Sequence, residues 1–482
     1  MTAPGTVRQA APDQPDHGSW WRPLVLRLHF YVGVFVGPFV LVAAMSGALY
    51  ALSPQLEPLL YERELQVEPT ATTLPLAEQI EAARAVEPGS ELLGVRPAPE
   101  PGDTTRVLFD DGELGESEAH AVFVDPGSGQ VRGELTTYGT SGALPVRSWI
   151  DQLHRSLHLG DAGRLYSELA ASWLWVLALG GVVLWASHLR RGRRQLRRAF
   201  LPDRSLRGRA RSRSVHGSVG LLLAAAFLGL SITGLTWSTY AGANVTEART
   251  QLGWDAPVLS TTPAEAPPGH EGHTDPGPST GHEEHTASGS PTGLGADLTT
   301  YDDVLDAARQ AGIDAGEIEV LAATEPGQAW TVTEIDRSWP TQVDATSVDP
   351  ETLAVVDQTR FADHPFMAKM ARWGIDAHMG SLFGLPNQLL LAGIGIGLAF
   401  VVVWGYRMWW QRRPTRGSRL AVGRPYPRGT LRHMPWPVAV VVVPTVAALA
   451  WFLPLMGVSL VAFLAGDALL GLRDRRARVA RS

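Results

Sequence analysis

The sequence predicts a polytopic α-helical membrane protein. It reads as a duplicated unit, two spans flanking a small α+β module outside the membrane, followed by a C-terminal membrane hairpin. Three observations carry this. Apolar runs of membrane length recur along the 482 residues. Arginines gather in the loops between those runs. The chain also matches itself at fixed offsets. Trp149, His154, Gly160 and Trp185 align with Trp373, His378, Gly384 and Trp409, each pair 224 positions apart, and Asp125-Pro126 and Asp349-Pro350 keep that offset. His29, Gly33, Ser46-Gly47 and Tyr50 align with His216, Gly220, Thr233-Gly234 and Trp237 at an offset of 187, so the second copy carries about 37 extra residues (224 − 187). Self-similarity of this kind sets the architecture before any local reading.

The apolar runs fall at residues 24–52, 166–188, 215–240 and 387–411. Each reaches the roughly 20 residues that a membrane helix needs. The loop 189–214 holds eleven arginines opposed only by Asp203, and 412–436 holds seven arginines and no acid. Positive charge stays on the cytoplasmic side, which puts both loops and residues 1–23 inside and the segments 53–165 and 241–386 outside a plasma (inner) membrane. The net charge of −7 hides this sorting. Residues 437–472 are apolar but interrupted by Pro444 and Pro454, and the tail 473–482 carries Arg473, Arg475, Arg476, Arg478 and Arg481. Arginines at both ends favour a hairpin of two short helices over one kinked span. The first run is longer than the roughly 7–15 residues of a signal-peptide core, and it matches the third run position by position, so it reads as a retained helix.

The absence of cysteine excludes iron–sulfur clusters, thiolate metal sites and disulfides within this chain. The arginine loops carry no interleaved aromatics, so topology explains them and no nucleic-acid partner is expected; the bilayer is the partner that they imply.

In the first outside segment, residues 75–87 have apolar positions at helical spacing, and strand-like runs follow at 92–97, 105–110 and 120–124 before a turn at Asp125-Pro126-Gly127-Ser128-Gly129. The second segment repeats the order: a helix at 302–312, strands at 318–323, 328–335 and 342–348, and a turn from Asp349-Pro350. Each is a small α+β module. Neither contains a nucleophile elbow, a phosphate loop or a zinc-protease helix, so binding or gating is the expected role. The extra residues of the second copy, 256–297, are rich in Pro, Gly, Ser and Thr and read as a disordered linker. Within it, His270, His273, His282 and His285 stand as GHEGH and GHEEH, a pattern that gathers metal loosely.

Four histidines occupy equivalent places in the two copies. His29 and His216 begin the first and third spans at the inner edge; His154 and His378 precede the second and fourth spans at the outer edge. His158 lies one helical turn beyond His154 and competes with it for the outer role. A lone interfacial histidine is commonly just a satisfied polar group. Two equivalent histidines on pseudo-symmetric helices can instead face each other as the two axial ligands of a haem. With one pair at each face, electrons have a path across the bilayer. Gly33 and Gly220, four residues beyond their histidines, leave room for a flat macrocycle or for a neighbouring helix. A zinc or copper centre would need three or four close ligands, which histidines at opposite faces supply less well.

These residues also resemble a known family. LHFYVGVFVGPFVLVAAMSGALY (28–50), LHRSLHLGDAGRLYSELAASWLWVLALGGVVLW (153–185), HGSVGLLLAAAFLGLSITGLTWS (216–238) and RWGIDAHMGSLFGLPNQLLLA (372–392) are similar to the PepSY-associated transmembrane-helix proteins, iron-regulated membrane proteins that include siderophore-iron reductases. The resemblance implies that the outside modules are PepSY-like domains and that two haems b are held by His29, His216, His154 and His378. It also implies reduction of ferric siderophores on the outer side. His158 and the His-rich linker depart from the family pattern. With no dinucleotide-binding Gly motif and no flavin module, electrons must come from a quinol or a separate reductase. Two other classes compete: a non-enzymatic, membrane-anchored interaction protein, and a metal or siderophore permease, for which Asp467 is the main intramembrane charge.

Overall fold

The computed structural model describes residues 20–110, 112–115, 117–191, 199–263, 297–412 and 428–479. His270, His273, His282 and His285 lie outside the described residues, as do the arginines of 192–198 and 413–427. The chain divides into two compact units: residues 1–38, 172–228 and 401–482, and residues 39–171 and 229–400. The helices are α1 (Trp21–Leu60), α2 (Glu62–Leu65), α3 (Leu76–Arg84), α4 (Pro145–Ser156), α5 (Gly160–Arg191), α6 (Gly208–Leu235), α7 (Tyr240–Gln251), α8 (Thr299–Gln310), α9 (Phe366–Met379), α10 (Gly384–Trp410), α11 (Trp436–Phe452) and α12 (Pro454–Val479). Five of them, α1, α5, α6, α10 and α12, contain stretches long and apolar enough to cross a membrane. The unit boundary falls within α1, α5, α6 and α10.

In the first unit, helix ends follow local chemistry. Pro454 starts α12 at the first helical position, where a missing N–H costs nothing, and Leu453 before it leaves the helical region (φ −116°, ψ 79°), so α11 stops at Phe452. No residue of α11 is buried, which suits a helix facing lipid. Two polar contacts tie α12 to its neighbours. Trp173 Nε1 donates to Ser459 Oγ at 2.9 Å. Asp467 Oδ2 lies 3.2 Å from Arg27 Nη2 and its Oδ1 lies 3.5 Å from Arg428 Nε. Along the sequence the arginine nearest to Asp467 is Arg473. The structure assigns Arg27, which is only 1% exposed, because a charge buried between helices must find its counter-ion there.

The second unit holds one eight-stranded antiparallel sheet in the order β4-β3-β2-β1-β5-β6-β7-β8. Its strands are β1 (Glu91–Arg96), β2 (Thr105–Asp110), β3 (Glu118–Val124), β4 (Val131–Tyr138), β5 (Ile318–Leu321), β6 (Trp330–Glu334), β7 (Ala345–Val348) and β8 (Val355–Thr359). The two separate modules expected from the sequence are therefore fused: β1 pairs with β5 through Val95 and Val320. One apolar core serves both halves, with Ile80, Val95, Phe109 and Val122 packed in the same cluster as Tyr301, Val304, Val320 and Val332. Each half alone would leave β1 or β5 as an open edge over too small a core. Pairing removes both problems. Asp302 on α8 completes the join, its carboxylate accepting from Leu76 N (2.7 Å) and Ala77 N (3.0 Å) at the start of α3.

The halves match in detail. Asp125 N donates to Gln130 O and Gly129 N to Asp125 O; Asp349 N donates to Ala354 O and Leu353 N to Asp349 O, the same bonds 224 residues on. Strand irregularities at Phe123/Val124 and Ser347/Val348 keep the same spacing. The sequence reading ended each sheet at the Asp-Pro turn and missed β4 and β8, whose residues are only half-buried and lack clear alternation. The helices α4 and α9, between the sheet and the next span, were also absent from it.

The α8-to-α3 cap gives a test of the fused sheet. Asp302→Ala leaves two N–H groups of α3 without acceptors and is expected to cost about 1–2 kcal/mol. Asp303→Ala, at the exposed neighbour, is expected to stay within about 0.5 kcal/mol. Chemical unfolding of the two variants followed by far-UV dichroism checks this.

Candidate functional site: two histidine pairs

The first pair lies in the first unit. His29 on α1 and His216 on α6 have ring centroids 6.2 Å apart and planes at 87°. His216 Nδ1 donates to Val401 O of α10 at 3.0 Å. His29 Nδ1 is buried without a hydrogen bond of good geometry, facing the Leu177 backbone of α5. Leu177 and Val401 are 224 residues apart, so the two histidines address equivalent carbonyls. Each ring also rests against a glycine. A Cβ at Gly181 would lie 3.2 Å from His29 Cε1, and one at Gly405 would lie 3.6 Å from His216 Cε1. Gly181 and Gly405 again differ by 224. A cavity of about 190 Å³, lined by Val25, Leu28, Trp173, Val176, Gly180 and Val183 among others, opens beside His29.

The second pair lies in the second unit. His154 on α4 and His378 on α9 have centroids 6.5 Å apart and planes at 72°. His154 Nδ1 donates to Ala43 O of α1 at 2.8 Å and lies 3.3 Å from Ser46 Oγ. His378 Nδ1 lies 2.6 Å from Thr233 Oγ1. Both hydroxyls give their proton to their own helix, Ser46 to Val42 O and Thr233 to Gly229 O, so Thr233 must accept from His378 Nδ1–H. Glycines again sit at the rings: a Cβ at Gly47 would lie 2.9 Å from His154 Cε1 and one at Gly234 would lie 3.8 Å from His378 Cε1. Trp237 closes on His378 with centroids 5.4 Å apart.

Local structure explains how these rings are aimed. α4 begins with Leu144 N donating to Glu57 Oε1 and Val146 N donating to Tyr61 Oη, so the end of α1 anchors it. α9 ends in a left-handed Gly380 cap (φ 86°), and Asn387 Nδ2 donates to Ala377 O beside His378. Desolvation holds His154 below the usual imidazole value, partly offset by Asp151 and the Ala43 bond. It drives His378 down to about 3, with His154 adding to the effect. Both rings are therefore neutral at physiological pH.

A neutral imidazole with its proton on Nδ1 carries its lone pair on Nε2. Among the described residues, none of the four Nε2 atoms takes part in a hydrogen bond. A metal–imidazole bond is about 2.0–2.1 Å, and the ring centroid stands roughly 1.1 Å behind the nitrogen, so two imidazoles on opposite sides of one metal have centroids about 6.3 Å apart. With centroids 6.2 and 6.5 Å apart, His29 with His216 and His154 with His378 would each hold one haem iron, which would supply a one-electron couple. Space for a flat ring exists too: a Cβ at Gly220 would meet nothing within 4 Å, and one at Gly33 only Leu177 Cδ2 at 3.9 Å. Neither glycine serves close helix packing.

His158 does not join the second pair. α4 ends at Ser156, and Leu157 and His158 are both left-handed (φ 53°), so the expected continuation by one helical turn does not occur. Its exposed ring stacks instead on Trp149, with centroids 4.8 Å apart. The sequence reading singled out Gly33 and Gly220, whereas the glycines against the rings are Gly47, Gly181, Gly234 and Gly405. Ser46, Gly47, Thr233 and Gly234 were visible as a repeat match; Gly181 and Gly405 carried the same 224 offset unnoticed.

Among curated proteins, none matches the chain. A family model described as the PepSY-associated TM region matches residues 26–412, which takes in both histidine pairs, the sheet and four of the long helices, and the chain belongs to that family.

Proposed function

We propose that this protein carries electrons through the plasma membrane and reduces ferric chelates, siderophore iron among them, on the outer face. The observation that carries the reading is the double pairing of His29 with His216 and His154 with His378, Nδ1 engaged or buried and Nε2 free, at the spacing of axial ligands. Haem b bound there would supply a one-electron iron couple at each pair. The chain's own residues hold the imidazoles in one tautomer through Val401, Ala43 and Thr233. The ring-facing glycines admit a flat ligand, and the walls beside His29 are apolar. Fe(II) binds siderophores weakly, so one electron is enough to release the metal. Donor electrons come from a quinol or a separate reductase. The arginine loops support an N-terminus inside, with the sheet outside and α11 and α12 as a returning hairpin; the 224-residue echo supports an ancestral duplication. Against a permease, Asp467 is already engaged by Arg27 and Arg428.

The first measurement is the optical spectrum of detergent-purified protein. A reduced b-type α-band with low-spin, two-histidine character is expected. His29→Ala or His216→Ala should remove about half of it, and His154→Ala or His378→Ala the other half, while His158→Ala keeps it all. A colourless preparation after haem supplementation would favour the interaction-protein reading and sink this one. Reporter fusions at residues 205 and 420 should report the cytoplasm and those at 110 and 280 the outside; a fusion at 480 reporting the outside would replace the hairpin with a single span. Deletion of residues 262–292 should leave haem content and the rate of haem reoxidation by a ferric chelate within about twofold, because the entropy of loop closure changes only slowly with loop length. A collapse of that rate with haem retained would make the linker part of the substrate site.

A further inference from the structure

We propose that Glu87, His120 and Glu134 form a binding site for a divalent transition metal of the zinc or iron(II) class, independent of the histidine pairs and of any haem. His120 lies on β3, opposite Phe109 of β2 and Thr136 of β4. Glu134 lies on β4 opposite Val122, one same-face step away. Glu87 lies in the turn that follows α3, its N–H donating to Ala83 O. Sheet edge and helix end thus bring three metal-ligating side chains from three chain segments to one point. Their ligand atoms all lie within 4.8 Å of one another.

The distances are those of ligands around a metal. His120 Nε2 is 3.1 Å from Glu87 Oε1 and 3.5 Å from Glu134 Oε2. With bonds of about 2.0–2.1 Å, neighbouring ligand atoms of a tetrahedral ion stand about 3.3–3.4 Å apart. An ordinary His–Glu pair would aim the N–H at one oxygen. Here Nε2 is buried and forms a hydrogen bond with neither, although a carboxylate oxygen of each glutamate lies within 3.5 Å of it. Ser90 Oγ donates to Glu87 Oε2 at 2.8 Å, which leaves Oε1 facing the imidazole and fixes the carboxylate as an outer hydrogen bond does at metal sites. One nitrogen and carboxylate oxygens suit Zn²⁺, Fe²⁺ or Mn²⁺ and disfavour Cu⁺. The end of α3 also favours positive charge. The ligand side chains are 19%, 22% and 40% exposed for His120, Glu87 and Glu134, so a fourth position faces solvent, the pattern of a site that exchanges its ion or binds a further ligand.

The second half of the sheet supplies the control. The positions 224 residues on are Ala311, Asp344 and Gln358. There Gln358 Nε2 donates to Ala311 O at 2.9 Å, and Asp344 Oδ1 accepts from Phe361 N at 2.7 Å. The same triangle is closed by ordinary hydrogen bonds where the ligand set is missing. In the first half it is held by three ligand atoms and no such closure.

The test uses the full chain in detergent, with His270, His273, His282 and His285 changed to Gln so that the linker contributes no zinc sites. After chelator stripping, zinc chloride is titrated calorimetrically, and X-ray absorption reports the zinc neighbours. One saturable equivalent is expected, with one nitrogen and two or more oxygens around the ion. His120→Gln should abolish that equivalent, and Glu134→Gln, at the most exposed ligand, should weaken it at least tenfold; Glu134→Gln serves alone if His120→Gln does not fold. The proposal is overturned if the parent binds no saturable zinc. It is equally overturned if either variant that folds retains the equivalent at parental affinity.

Discussion

An imidazole that is to present Nε2 must have Nδ1 satisfied by something rigid, and this constraint organises much of the rest. The groups that supply it are main-chain carbonyls and hydroxyls inside helices: Val401 O for His216, Ala43 O for His154 and Thr233 Oγ1 for His378. A helix carbonyl accepts a side-chain bond only if the donor ring comes very near the backbone. That approach needs a residue without a side chain at the contact, and Gly47, Gly181, Gly234 and Gly405 stand there. Rings held this way are oriented and largely withdrawn from solvent, which is what a ligating imidazole needs and what a surface histidine lacks.

The second pair adds a further demand, since His154 and His378 lie on short helices and not on the long ones. Their aim depends on how α4 and α9 are docked. Glu57 and Tyr61 at the end of α1 grip the start of α4, while Gly380 and Asn387 fix the end of α9. The chain enters α4 from β4 and α9 from β8, so the fused sheet constrains the second pair from one side. An arrangement with two independent modules would leave α4 and α9 free to move apart; the pairing of β1 with β5 and the Asp302 cap on α3 remove that freedom. The two halves of the sheet are not interchangeable, however. The triangle that is closed by Gln358 and Ala311 in one half is a Glu87–His120–Glu134 ligand set in the other, so a shared scaffold carries different polar chemistry at matching points.

Much was legible in the chain itself. Apolar runs of membrane length and the 224 and 187 offsets determined the long apolar helices, the two α+β halves and the matching sequence places of the four histidines, because hydrophobic length and internal repetition are local properties that survive without contacts. What only the tertiary structure decided depends on partners distant in sequence. The edge pairing of Val95 with Val320, the Arg27 counter-ion of Asp467 and the two half-buried strands β4 and β8 leave no local signature, since either side of each contact reads as an ordinary strand, charge or loop. The choice between His154 and His158 turned on two left-handed residues at the end of α4, Leu157 and His158. Periodicity counts residues along a helix, but it cannot see where the helix stops, and one turn of helix is the whole difference between a ring that meets His378 and one that stacks on Trp149.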